Sequence, residues 1–101
     1  MSNIREREVE ARLRRRVERD LHGLCIKLTE GRGLPDRLII LPGGCCIFAE
    51  IKRPVGGRLS SAQIVQHQRL RRLGHRVEVL WSMKQVDDLI DRLTPQLTPQ
   101  K

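Results

Sequence analysis

Two carboxylates and a lysine in the middle of the chain, Asp36, Glu50 and Lys52, have the types and spacing to hold a hard cation beside a positive side chain. Thirteen residues separate the two acids, and between them Pro42-Gly43-Gly44 reads as a turn joining two apolar runs. If that turn is a three-residue loop, Leu41 faces Cys45 and Asp36 lies directly opposite Glu50. Facing residues on one side of an antiparallel pair have Cβ atoms roughly 4.5–5.5 Å apart. A two-residue loop would shift the register by one and put the acids on opposite faces. Side chains alternate along a strand, so Lys52 shares the face of Glu50, while Ile47, Ala49 and Ile51 point the other way as core. Like charges held face to face repel, and a cation with oxygen ligands relieves them; Mg²⁺ uses only one or two protein carboxylates and keeps its waters for substrate phosphates. Each residue also has a plain reading: Asp36 as a turn acid after Pro35, Glu50 with Lys52 as a solvated pair worth under about 1 kcal/mol.

The elements that must position these residues follow from periodicity. Residues 4–21 read as an amphipathic helix, with Val9, Leu13, Val17 and Leu21 recurring every four residues and Gly23 as a stop. Strands are expected at 24–29, 36–41 and 45–52, with a loop at 30–35 and a break at 54–57. Ser60 opens a second helix to about Leu73, closed by Gly74; Arg76 to Trp81 alternates as a fourth strand, with Val77, Val79 and Trp81 on one face. Ser82 caps a last helix to about Leu93. The order αβββαβα predicts an α/β fold, a small mixed sheet flanked by helices, in one domain over residues 1–93 with a flexible tail at 94–101.

Composition narrows the partners. The chain has 101 residues, a net charge of +8 and sixteen Arg against four Lys, and Arg matches phosphate oxygens with a planar fork of donors. Phe48 and Trp81 are its only aromatic residues, which argues against base stacking and for contact with a duplex backbone. Cys25, Cys45 and Cys46 are odd in number and lack CxxC spacing, and His22, His67 and His75 form no HxxxH pair. Neither a disulfide framework nor a structural zinc site is expected, and the cysteines read as small buried hydrophobes in a reducing compartment. His67 and His75 read as helix-surface and turn residues. No apolar run is long enough to span a membrane and the first residues show no secretory pattern, so a cytoplasmic location is expected, in a bacterium or a phage-infected host.

Asp36 after Pro35, followed by Glu50-Ile51-Lys52, resembles the PD-(D/E)xK nuclease motif. The stretches Gly31-Arg32-Gly33-Leu34-Pro35-Asp36-Arg37, Phe48-Ala49-Glu50-Ile51-Lys52, Leu59-Ser60-Ser61-Ala62-Gln63 and Leu70-Arg71-Arg72-Leu73-Gly74 are similar to the VRR-NUC (virus-type replication-repair nuclease) family, over about residues 5–90. The resemblance implies a restriction-endonuclease-like core and a Mg²⁺- or Mn²⁺-dependent phosphodiesterase acting on DNA. It implies that Asp36, Glu50 and the backbone carbonyl of Ile51 bind the metal, and that Lys52 orients or activates the attacking water. It also implies an acid on the first helix, Glu6 in preference to Glu10, and matches Gln63 to a glutamine of the second helix. Gln63 has an equally good structural reading, because Ser60-x-x-Gln63 is a capping box.

Standalone members of the family resemble four-way-junction resolvases in size and are similarly dimeric. The expected activity is therefore structure-selective cleavage of branched DNA by a homodimer, with no membrane partner and no small-molecule cofactor. A nuclease of broader selectivity for flaps or nicks, a DNA-binding module without catalysis, and a protein that bridges subunits of a larger machine are the rivals. Arg12, Arg15 and Arg16 on the first helix, Arg32 and Arg37 beside the first acid, and Arg53 and Arg58 beyond Lys52 are the candidate phosphate contacts. For the helix arginines a solvated basic face is the competing reading.

Overall fold

A computed structural model describes residues 4–97. The chain runs as α1 (Glu6–Asp20), β1 (Leu24–Lys27), β2 (Arg37–Leu41), a single 3₁₀ turn (Pro42–Gly44), β3 (Cys45–Ile51), α2 (Ser61–Arg72), β4 (Arg76–Leu80) and α3 (Met83–Leu97). This is the αβββαβα order read from the sequence. The strands lie in the order β1-β2-β3-β4, with β1–β2 and β2–β3 antiparallel and β3–β4 parallel.

The core is built from alternate residues of one sheet face and two amphipathic helices. Val9, Leu13 and Val17 of α1 and Val86, Leu89, Ile90 and Leu93 of α3 are buried against Ile39, Leu41, Ile47, Ala49, Ile51 and Leu80. Both helices carry their apolar residues three or four apart, the period that puts them on one stripe. Arg12 and Arg16 tie α1 to α3: Arg12 makes a two-pronged pair with Asp87, both bonds 2.9 Å, and Arg16 reaches Asp20 at 2.7 Å and Asp87 at 3.0 Å. The Arg12 guanidinium holds the Asp87 carboxyl below the usual carboxylate range, and Arg19 with Arg16 brings Asp20 down to about 2.

α2 covers the other sheet face at its β3–β4 end. Of its residues only His67 is buried, whereas Ile64 and Val65 are exposed. The β1–β2 end of this face is open, leaving Leu24 and Ile26 exposed by 57% and 41%.

β2, β3 and β4 each fall one residue short of the expected bounds, Cys46 is exposed rather than buried, and three boundaries differ more. The turn that ends α1 takes its left-handed residue at His22, with φ 56. Gly23 is needed instead for close approach, since a Cβ there would stand 2.6 Å from the Ile40 carbonyl oxygen. β1 stops at Lys27, although the Leu28 amide still bonds the Asp36 carbonyl at 2.8 Å. α3 continues past Leu93 to Leu97 with Pro95 in its final turn, and Thr94 there donates its hydroxyl to the Ile90 carbonyl at 2.7 Å. Residues 98–101 of the expected tail lie outside the described residues. No helix among the described residues is long and apolar enough to cross a membrane.

Candidate active site

The β2–β3 register pairs Leu41 with Cys45 and Arg37 with Ala49, which is the three-residue-loop alternative. Asp36 is the next residue outward, at the point where the ladder ends. Its side chain takes the place of a backbone partner: Asp36 Oδ2 accepts the Ile51 amide at 2.8 Å. That bond fixes the first acid across β3 from its own strand, beside Glu50.

Glu50 is 1% exposed and both of its oxygens are engaged. Oε2 accepts a hydrogen bond from Gln63 Nε2 at 3.1 Å and lies 3.6 Å from Lys52 Nζ, while Oε1 lies 3.3 Å from His67 Nε2. Burial, and then the neighbouring Asp36 carboxyl, push the Glu50 carboxyl up to about 8. Without a cation the pair therefore keeps a proton at neutral pH, the physical expression of two acids held together.

α2 supplies two of these contacts from one turn of helix. Gln63 does both jobs that the sequence left open. Its Oε1 accepts the Ser60 amide at 2.8 Å, and the Gln63 amide donates to Ser60 Oγ at 3.1 Å, completing the capping box. Its Nε2 is left over and points at Glu50. His67, four residues on, shares this inward face. Burial, together with the positive charges of Arg71 and Lys52, lowers the His67 pKa and keeps the imidazole neutral. The surface position expected for His67 is thus corrected. The missed signal was the Gln-x-x-x-His spacing, which aligns two polar side chains on one helical face.

The loop before Asp36 is clamped to the start of α2. Gly33 sits at φ 81, and a Cβ there would meet the Ala62 carbonyl oxygen at 2.5 Å. Gln66 Nε2 also reaches the Arg32 carbonyl at 3.4 Å. Asp36 and Gln63 are therefore set by one packed unit, which also carries Arg32.

The two helix acids part company. Glu6, on the first turn of α1, lines a cleft of about 470 Å³ with Ile4, Arg5, Arg53 and Val55, just beyond Lys52 in the chain. Glu10 instead bonds Arg37 Nε at 2.6 Å, and Lys27 stands 3.8 Å away. Arg37 also donates to the Cys25 carbonyl at 2.9 Å, so it fastens α1 to the sheet. Three of the seven candidate phosphate contacts, Arg12, Arg16 and Arg37, are thereby occupied with acids of their own chain. Arg15 is exposed and lines a groove on α1 with Arg7, Arg14 and Arg19. Arg32, Arg53 and Arg58 are exposed and make no ion pair among the described residues.

No group of three or more His, Cys, Asp or Glu side chains is placed to hold a metal among the described residues. A cage built wholly of side chains is therefore absent. Two adjacent carboxylates form an oxygen-donor pair suited to a cation that keeps most of its waters, as Mg²⁺ does.

No family model matches the sequence. The chain is 43% identical over 82 residues to the "Putative nuclease p44" of Acyrthosiphon pisum secondary endosymbiont phage 1, covering 79% of this chain and 86% of that protein. A solved "VRR_NUC domain" superposes with a TM-score of 0.78 at 41% identity, over 85% of this chain and 94% of that one. Fold and sequence together define a nuclease with the mixed α/β core of restriction endonucleases. The chain belongs to the VRR-NUC family.

Proposed function

We propose that the protein is a Mg²⁺- or Mn²⁺-dependent endonuclease that hydrolyses phosphodiester bonds in branched DNA, four-way junctions above all, as a homodimer. The apposition of Asp36 and Glu50, with Lys52 on the same face, carries this reading. Asp36 and Glu50 hold the cation with the Ile51 carbonyl. A bound cation supplies a water of lowered pKa and a clamp for the developing charge on phosphorus. Lys52 Nζ orients the water and steadies the phosphate oxygens as one P–O ester bond is exchanged for a P–O bond to water. Gln63 holds Glu50 in place. Glu6 is the helix acid of the site, because Glu10 is committed to Arg37.

Arg32, Arg53 and Arg58 hold the scissile strand, and Arg15 contacts the backbone further along. Two-fold symmetric subunits match the two-fold symmetry of a four-way junction, and exposed Leu24 and Ile26 on the open sheet face suit burial against a second copy. The three free cysteines fit a reducing, cytoplasmic compartment, and no small-molecule cofactor is needed. Cleavage of a labelled four-way junction, a 5′ flap and a linear duplex in Mn²⁺ tests the substrate. Paired symmetric nicks confined to the junction support the proposal. Equal cutting of the flap makes the protein a broader repair nuclease, and junction binding without cutting makes it a binding module.

A further inference from the structure

We infer that His67 is a positioning residue that locks one oxygen of Glu50 and so leaves the other for the cation. The inference rests on the reading that Asp36 and Glu50 hold the metal. His67 is 1% exposed, as deeply buried as Glu50 itself, and its Nε2 lies 3.3 Å from Glu50 Oε1. The other ring nitrogen, Nδ1, is buried and has no hydrogen-bond partner among the described residues.

That pattern is informative because burying an unpartnered polar nitrogen is unfavourable, and an aliphatic side chain would fill the space without it. A histidine at this position is accounted for by what its Nε2 does. With no acceptor for Nδ1, the ring proton belongs on Nε2, where it donates to Glu50 Oε1. Gln63, one turn earlier, addresses the opposite oxygen at 3.1 Å, so α2 grips the carboxylate from both sides. The two grips are not equivalent. Oε2 also faces Lys52 Nζ at 3.6 Å, on the side of the lysine read as serving the phosphate, whereas Oε1 faces buried His67 at 3.3 Å. A cation held at Oε2 would leave the His67 bond intact. The bond removes rotational freedom from the Glu50 side chain before the cation arrives. Partners behind a ligand commonly change metal affinity by about 10–100-fold.

The test is Mn²⁺ binding by calorimetry to the full chain, comparing wild type with His67→Leu and His67→Gln, with thermal melting in EDTA alongside. His67→Gln restores a donor near Oε1, and His67→Leu supplies volume alone. The expected result is a Mn²⁺ Kd raised about tenfold or more in His67→Leu and held within about threefold in His67→Gln, whatever the two melting temperatures do. Should His67→Leu fail to fold, His67→Asn, whose amide stops short of Oε1, carries the same expectation. Wild-type affinity in the Leu or Asn variant overturns the inference, as does an equal loss in His67→Gln. A wild-type protein that binds no Mn²⁺ overturns the metal reading and this inference with it, so the two failures are told apart.

Discussion

Glu50 makes the metal-free protein lose stability as the solution becomes more alkaline, and the size of the loss can be worked out. Its carboxyl sits at about 8 in the fold against an ordinary value of 4.5. Between those values the folded state holds a proton that the unfolded chain has released, so stability falls with rising pH. The contribution is complete below about pH 4.5 and gone once the pH has passed through the folded value. Linkage gives a loss on the order of 2–3 kcal/mol from pH 5 to 7 and on the order of 1 kcal/mol from pH 7 to 9. His67 works against this slope in the acid range, because its lowered pKa favours the fold as pH rises. Cys25, pushed up to about 11 by burial, adds to the slope only above pH 9. Glu50→Gln isolates the effect, since it leaves both groups in place and removes one titration.

The assay is urea unfolding of wild type and Glu50→Gln in EDTA at pH 5, 7 and 9. The difference between the two proteins should move against wild type by the amounts above. Mn²⁺ should cancel or reverse the trend, because it binds the carboxylate and not the acid. Parallel pH profiles for the two proteins in EDTA would refute the claim that Glu50 is held protonated by burial and by Asp36.

The pairing of the arginines predicts a division of labour: Arg16→Ala should lower the melting temperature by roughly 5 °C and leave the salt dependence of DNA binding unchanged. Arg32→Ala and Arg58→Ala should do the opposite, each reducing the slope of log affinity against log salt by about 1 in a fluorescence titration. Ser60→Ala should cost about 1 kcal/mol in chemical denaturation through the lost cap and keep cleavage, whereas Gln63→Ala should lose cleavage as well. Gly33→Ala should lower both the melting temperature and cleavage, because the added Cβ meets the Ala62 carbonyl at 2.5 Å and the positive φ disfavours alanine by roughly 1–2 kcal/mol. Wild-type melting and activity in Gly33→Ala would show that the loop is not clamped to α2.

What was legible in the sequence depended on the range of the interaction. The α1 stripe, the Pro42-Gly43-Gly44 turn and the Ser60 cap are local signals, and each produced its element at the expected place. The turn limited the β2–β3 register to two alternatives, of which the observed one brings Asp36 beside Glu50. The pairing of Arg12 was not legible because its partner, Asp87, lies 75 positions away, and no periodicity reports such a contact. The pairing of Arg37 was hidden for the same reason, its acid lying on α1. His67 escaped because α2 inverts the usual pattern. Its inward face is polar, serving Glu50, and its apolar Ile64 and Val65 face outward. The sequence pattern already favoured Glu6 over Glu10, and the pairing of Glu10 with Arg37, invisible to that pattern, supports the same preference.

The most direct test of the central claim is cleavage of a labelled four-way junction by wild type and Lys52→Ala, in Mn²⁺ and in EDTA, with junction binding measured on the same samples. The account predicts nicks in Mn²⁺ by wild type alone, with Lys52→Ala still bound to the junction. Tight binding by wild type without any cleavage in Mn²⁺, or cleavage that survives both EDTA and the loss of Lys52, would contradict it.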